Sequence, residues 1–176
     1  MLAVVIGAAG ALGLAACSSS PSNSSSAASG TATTAAGGGT IGTISAADRS
    51  PAGTAGTAPT VTVPSGTPPT ELESADLITG TGATAASGDN VTVQYVLATY
   101  SSGKVIQSSW TSKPFSFTLG AGQVIPGWDK GVVGMKVGGR RELIIPPSLG
   151  YGDQSPGTGI AANDTLVFVI DLLKVS

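Results

Sequence analysis

The chain has no histidine and a single cysteine, Cys17. Without histidine, Ser-His-Asp and Cys-His catalysis and histidine metal sites fall away. One cysteine rules out an intramolecular disulfide and a CxxC redox motif. Charge is scarce too: charged residues are 10% of 176, with a formal net charge of −2, against about a quarter charged in a typical domain. No basic footprint for nucleic acid is present. The ten carboxylates form no close pair beside a glycine-rich turn, which argues against glycosidase or phosphatase work. Any chemistry here must proceed without a strong base, a thiol in the folded part, a metal cluster or a cofactor.

The charge deficit is concentrated in the first half, where only Asp48 and Arg49 are charged between Ser18 and Thr70. Residues 1–16, MLAVVIGAAGALGLAA, are almost wholly apolar. They are too few to span a bilayer as a mature helix but fit the h-region of a signal peptide. No Lys or Arg precedes them, a departure that an upstream start would explain. Leu14-Ala15-Ala16-Cys17 resembles the bacterial lipobox, in which cleavage leaves an N-terminal, lipid-modified cysteine. Small residues suit the peptidase pocket, and the thiol accepts the lipid. The alternative is an ordinary signal peptide that ends in Cys. Residues 17–70 are Ser, Thr, Ala, Gly and Pro with little to bury, and read as a disordered tether. Its flexible reach is typically roughly 40 Å. Pro51, Pro59, Pro64, Pro68 and Pro69 stiffen its last third, and Val61-Thr62-Val63 is a candidate for pairing at a sheet edge.

From Glu71 onward the chain reads as one domain, residues 71–176, large enough to bury a working core. Glu71 to Thr79 is a candidate edge strand. Val91, Val93, Tyr95 and Leu97 share one face of the next strand, Ser101-Ser102-Gly103 is a hairpin turn, and Lys104 to Ser109 returns. Phe115, Phe117 and Leu119 alternate in a further strand. Thr165 to Leu173 is the strongest strand, apolar on both faces at its centre, as a middle strand is.

The stretch Gly120 to Gly152 holds nine of the 26 glycines and one of the two tryptophans. Trp128, Val132 and Met135 are spaced to share one face of a short helix, with Asp129 in its first turn and Lys136 at its end. Gly138-Gly139 stops that helix. Arg140 to Ile145 then alternates as a strand, with Arg141, Leu143 and Ile145 on one side. Arg140-Arg141-Glu142 reads as a solvated strand face, with an Arg–carboxylate pair near the site as the alternative. Strands with one short helix make an α+β fold, an antiparallel sheet with the helix on one face.

Tyr95, Phe115, Trp128, Tyr151 and Phe168 fall at inward or loop positions, with Val124, Ile125 and Ile160 nearby. They read either as plain core or as a concave apolar pocket with a few polar tips. Two tyrosines and a Trp at a helix start, in a domain poor in aromatics, suit the pocket.

Residues 88–176 resemble an FKBP-type peptidyl-prolyl cis-trans isomerase domain. The resemblance is carried by VTVQY, GKVIQSS, KPFSFTLG, QVIPGWDKGVVGMKVGGRREL, the Tyr151-Gly152 pair and TLVFVIDLLK. It implies five or six antiparallel strands curled around the helix near Trp128, with a pocket between helix and sheet. In that likeness Trp128 is the pocket floor, and Tyr95, Phe115 and Phe168 are its walls. Val124 and Ile125 line it, the Ile125 backbone N–H meets a ligand carbonyl, and Tyr151 offers its hydroxyl. Ile160 sits on the far lip. The family's Phe-Asp pair falls on Ile106 and Gln107, which keep an apolar wall and an acceptor but lose the ring and the charge. The loop after Ser109 is shorter than in the best-known members and carries Trp110. The implied function is isomerisation of X-Pro bonds in secreted or envelope proteins, by a lipid-anchored, extracytoplasmic monomer. Its ligands are proline-containing polypeptides, with FK-type macrolides as further candidates. A non-catalytic FKBP-like binding module is the alternative.

Overall fold

A computed structural model describes residues 41–176 of the chain. β-branched and aromatic runs become strands β1 (Gly42–Thr43), β2 (Glu73–Ile78), β3 (Asn90–Thr99), β4 (Val105–Ser108), β5 (Phe115–Thr118), β6 (Arg140–Ile145) and β7 (Leu166–Val175). One helix, α1 (Pro126–Gly131), and one 3-10 turn at Pro147–Leu149 complete the elements. The strand order is β1-β2-β6-β7-β3-β4, with β5 sharing the free side of β3 beside β4. Every pairing is antiparallel except β1 with β2, which is parallel, so the sheet is mixed. As its two-sided apolarity predicts, β7 lies in the middle, between β6 and β3. The expected edge strand β2 is not an edge, because β1 covers it.

Cross-strand partners place whole rows of side chains on one face. Leu97, Phe168 and Leu143 form one such row, and Tyr95, Ile170 and Arg141 the next. This face, α1 and the loops around it enclose the main core, which includes Val91, Leu97, Trp128, Val132, Leu143 and Phe168.

The helix is shorter than its apolar spacing predicts. It ends at Gly131, and Gly134 has φ +81°, a left-handed turn that glycine adopts without penalty. Residues 83–85 then capture the chain: Ala85 donates its N–H to the Met135 carbonyl and accepts from Gly134, and Thr84 bridges Lys136. Lys136 therefore sits in that bridge and not at a helix end. Trp128, Val132 and Met135 still enter one core.

The larger correction concerns residues 41–70, assigned on composition to a disordered tether. Residues 41–63 form a strap over the other face of the sheet. Ile44 is 1% exposed and packs with Ala75, Ile144 and Val167, with Val61 and Val63 alongside. Val61-Thr62-Val63 thus packs on a face and forms no edge strand. Beneath the strap, Arg140 and Glu142 are buried, not solvated. Arg140 pairs with Asp171 at 2.5 Å and donates to the carbonyls of Ala52 and Thr57 at 2.8 and 2.7 Å. Glu142 accepts from the Ser50 backbone N–H at 2.8 Å and from its hydroxyl at 2.6 Å. Burial pushes the Glu142 carboxyl up, and the two Ser50 hydrogen bonds and Arg49 partly offset it. A low-complexity segment folds here because the face below it presents charged groups that need partners once buried. The signal-peptide and lipidation expectations, residues 1–16 and Cys17, lie outside the described residues.

Candidate functional site

The site is built around α1. Gly127 and Gly131 let the helix lie against β6: a Cβ at Gly127 would fall 2.5 Å from Ile145, and one at Gly131 would fall 2.6 Å from Leu143. That close approach drives Trp128 into the sheet, where it is fully buried. Four rings surround it. Tyr95 and Phe168 meet its indole edge-on, each with centroids 5.2 Å away, at 82° and 83°. Phe117 lies at 5.6 Å and Phe115 at 6.2 Å, and those two stack on each other at 5.6 Å. Edge-to-face contacts of this kind hold ring orientations beyond simple burial.

Val124 and Ile125 are buried at the helix entrance. The Ile125 carbonyl accepts from Trp128 N–H at 2.9 Å, and Ile125 is the N-cap, so its own N–H has no partner within the helix. The helix start is fixed by Asp129, whose carboxylate accepts from the N–H groups of Gly120 and Gly122 at 2.8 and 3.0 Å. Among the described residues, the only buried side-chain polar atoms without a partner are the indole nitrogens of Trp128 and Trp110. A buried orphan donor costs about 1–3 kcal/mol, a penalty unusual for plain core.

Ile106 and Gln107 reach the same region because β4 carries a bulge. Val105 pairs with Ala98 and Gln107 with Leu97, leaving Ile106 as the extra residue. Gln107 shares the row of Leu97 and Phe168, while Ile106 packs against the core and against Gly159, where an added Cβ would lie 3.0 Å from its Cγ2. Strict alternation would have sent these two side chains to opposite faces. Gly159 precedes Ile160, which is buried. The Ile160 carbonyl accepts from the Ser155 hydroxyl at 2.7 Å, fixing the lip of the 151–163 loop. Tyr151 is half-buried against the core. Burial, with Tyr95 nearby, pushes its hydroxyl up to about 12, and burial raises Tyr95 as well. Both therefore remain neutral O–H donors at neutral pH.

The residues named from sequence, Tyr95, Ile106, Gln107, Phe115, Val124, Ile125, Trp128, Tyr151, Ile160 and Phe168, converge on this face. Sequence reasoning placed Phe117 in a strand and Asp129 in the first turn of the helix but assigned neither to the site. Phe117 had a signal, since it is two residues from Phe115 and must share its side; Asp129 had none, because its partners are backbone groups.

The profile of the FKBP-type peptidyl-prolyl cis-trans isomerases matches residues 82–173. The chain belongs to that family. An FK506-binding protein of Streptomyces anulatus is 52% identical over 119 residues, covering 66% of this chain and 96% of the relative. A probable FK506-binding protein of Corynebacterium glutamicum is 42% identical over 117 residues, covering 66% and 97%. Among solved structures, AtFKBP13 is 35% identical with a TM-score of 0.55, covering 62% of this chain and 96% of that one. FkpA from Escherichia coli is 39% identical with a TM-score of 0.54, and the match covers 61% of this chain and 49% of FkpA. The FKBP-type family makes this chain a peptidyl-prolyl cis-trans isomerase and disfavours a non-catalytic binding module.

Proposed function

We propose that this isomerase twists X-Pro bonds in the aromatic cup over Trp128, on secreted or envelope proteins close to a membrane. The chemistry needs no acid or base. An X-Pro bond rotates out of amide resonance over a barrier of about 18–20 kcal/mol, and uncatalysed this takes tens to hundreds of seconds. A planar amide is more dipolar than a twisted one, so a dry apolar cup disfavours the ground state relative to the transition state. Trp128 is the floor under the proline ring, and Tyr95, Phe115 and Phe168 are the walls. Val124, Ile106 and Ile160 line the rim, and Gln107 supplies an acceptor where the family has a carboxylate. The Ile125 N–H and the Tyr151 hydroxyl hold the substrate carbonyl out of the amide plane, an arrangement that favours the twisted state. The observation that carries this reading is the ring of four aromatic side chains around a buried Trp at a helix start whose N-cap residue, Ile125, has an N–H without a partner in the helix.

Relatives named as FK506-binding proteins support FK-type macrolides as further ligands of the same cup. The apolar residues 1–16 and the cysteine that follows support export and a lipid anchor on Cys17, with the catalytic unit working as an extracytoplasmic monomer.

The test is the isomerisation rate of a short X-Pro peptide with the parent chain, Tyr151→Phe and Trp128→Leu. Acceleration by the parent, reduced in Tyr151→Phe and lost in a folded Trp128→Leu, is the expected result. A parent no faster than the uncatalysed peptide would overturn the assignment of turnover to this cup. Retention of a Cys17→Ala variant in the membrane fraction would overturn the anchor.

A further inference from the structure

A six-residue helix with no side-chain N-cap is far too short to hold its own geometry. Its position must be imposed from outside. At its N-terminal end Asp129 ties it to Gly120 and Gly122, and along its length Gly127 and Gly131 rest on Ile145 and Leu143. Its C-terminal end is held by Arg141, which donates Nη1 to the carbonyls of Gly131 and Val133 at 2.8 and 3.0 Å. The Gly131 carbonyl is among the unpaired acceptors that any helix leaves at its end, the Val133 carbonyl follows just beyond the C-cap Val132, and a cation there also complements the helix dipole.

The guanidinium is itself held by a fork. Its Nε donates to Asp76 Oδ1 at 2.6 Å and its Nη2 to Oδ2 at 3.2 Å. Two parallel bonds to one carboxylate fix the plane of the group, which a lysine cannot reproduce. Asp76 pairs with Arg141 across β2 and β6, and Arg141 continues through Ile170 to Tyr95, so a single cross-strand row runs from the clamp to a wall of the cup. Asp76 precedes residues 82–173, the span matched by the family profile. The clamp thus joins the family core to a strand contributed by the N-terminal part of this chain. Arg49 and Lys136 border the clefts beside Asp76, but among the described residues Arg141 alone forms an ion pair with it.

We propose that Arg141, oriented by Asp76, is a positioning residue for the isomerase: it sets the end of α1 and thereby the register of Trp128 and the Ile125 N–H. The inference rests on the isomerase assignment, and it places the effect on turnover more than on global stability. Asp76 is close to half exposed, so replacing it removes the fork without opening the core.

The test compares Asp76→Asn, Arg141→Lys and Arg141→Ala in the full chain. It follows kcat/KM on an X-Pro peptide, urea midpoints, and exchange of the Trp128 and Val132 amide protons. Both amides are bonded in or just after α1. Misplacement by about 1 Å can cost on the order of a hundredfold in rate, so Arg141→Ala is expected to lose roughly tenfold or more. Asp76→Asn should fall between it and the parent, and Arg141→Lys should recover part of the loss. Both helix amides should exchange faster in Asp76→Asn at an unchanged urea midpoint. The proposal is overturned if folded Asp76→Asn and Arg141→Lys keep parental kcat/KM, or if every loss of rate equals the loss of folded fraction. Should Arg141→Ala not fold, the two milder variants decide. Should the parent show no turnover, the isomerase assignment fails by itself, and parental amide exchange in Asp76→Asn would then overturn the clamp.

Discussion

Replacing Ile44 by alanine separates a strap that belongs to the fold from a tether that merely passes by. Ile44 is 1% exposed and sits among Ala75, Ile144 and Val167 on the face opposite the helix. The substitution removes three carbons, each worth about 0.8 kcal/mol when buried, for a transfer loss of about 2.4 kcal/mol. Any unfilled cavity adds to this within the usual range of about 2–5 kcal/mol. The backbone pairing of Gly42 and Ile44 with Leu72 and Ser74 survives the change, as do the contacts of Ser50, Ala52 and Thr57. Side-chain packing is therefore what the variant measures. The assay is urea unfolding followed by tryptophan emission, together with a thermal melt. At roughly 3–5 °C per kcal/mol for a domain of this size, the melt should drop by roughly 7–12 °C. The strap can also release before the rest unfolds. In that case the denaturant slope falls, because less surface is exposed in the main transition, and proteolysis between residues 45 and 63 accelerates. A midpoint within about 0.5 kcal/mol of the parent, with parental slope and proteolysis, would refute the packing argument and return residues 41–63 to the tether.

Three further outcomes follow from the same geometry. Gly127→Ala places a methyl 2.5 Å from Ile145 Cγ2, so it should cost about 1–3 kcal/mol by overpacking. Because it lifts Trp128 off the sheet, peptide isomerisation should fall further than the folded fraction does; equal losses would count against a positional effect. Arg140→Ala leaves Asp171 buried without its partner and should cost about 3–5 kcal/mol by chemical denaturation. Replacing Arg140 and Asp171 together by apolar residues should recover much of that, and no recovery would show that the bonds to Ala52 and Thr57 dominate. Tyr151, pushed up to about 12 from its ordinary value near 10, favours the fold while it is neutral. Its contribution is present in full below pH of about 10 and disappears as pH rises to about 12, where the unfolded chain has already lost the proton. Across that window the parent should lose stability relative to Tyr151→Phe, and parallel curves would contradict the burial argument.

Most of the site was legible because the rings obey local rules. Phe115, Tyr95 and Phe168 lie on alternating strands, where period-two geometry decides the face, and Trp128 follows a Pro-Gly pair that opens a helix. Ile106 and Gln107 escaped that rule through a bulge, which depends on how β4 meets β3 and has no mark in β4 itself. Helix length was misread because Val132 and Met135 keep helical spacing after the helix has ended; Val132 N–H still donates to Trp128, but the Gly134 N–H and the Met135 carbonyl turn to Ala85 instead.

By itself, the sequence determined strands β2 to β7, the core-facing side of Val91 to Leu97, of Phe115 to Leu119 and of Leu143 and Ile145, the helix start and the aromatic set, since these follow from side-chain periodicity and turn residues over a few positions. Tertiary structure decided what no local pattern encodes. Arg140 and Glu142 alternate like an exposed strand face and become buried only because residues 41–63 lie across them. Ser50, Ala52 and Thr57 gain importance only as partners supplied from 83 to 92 residues away. Arg141 becomes a clamp only because β2 brings Asp76 beside it while α1 ends within reach. A polar group has no fixed preference for water or protein; its environment depends on which partners the rest of the chain brings to it.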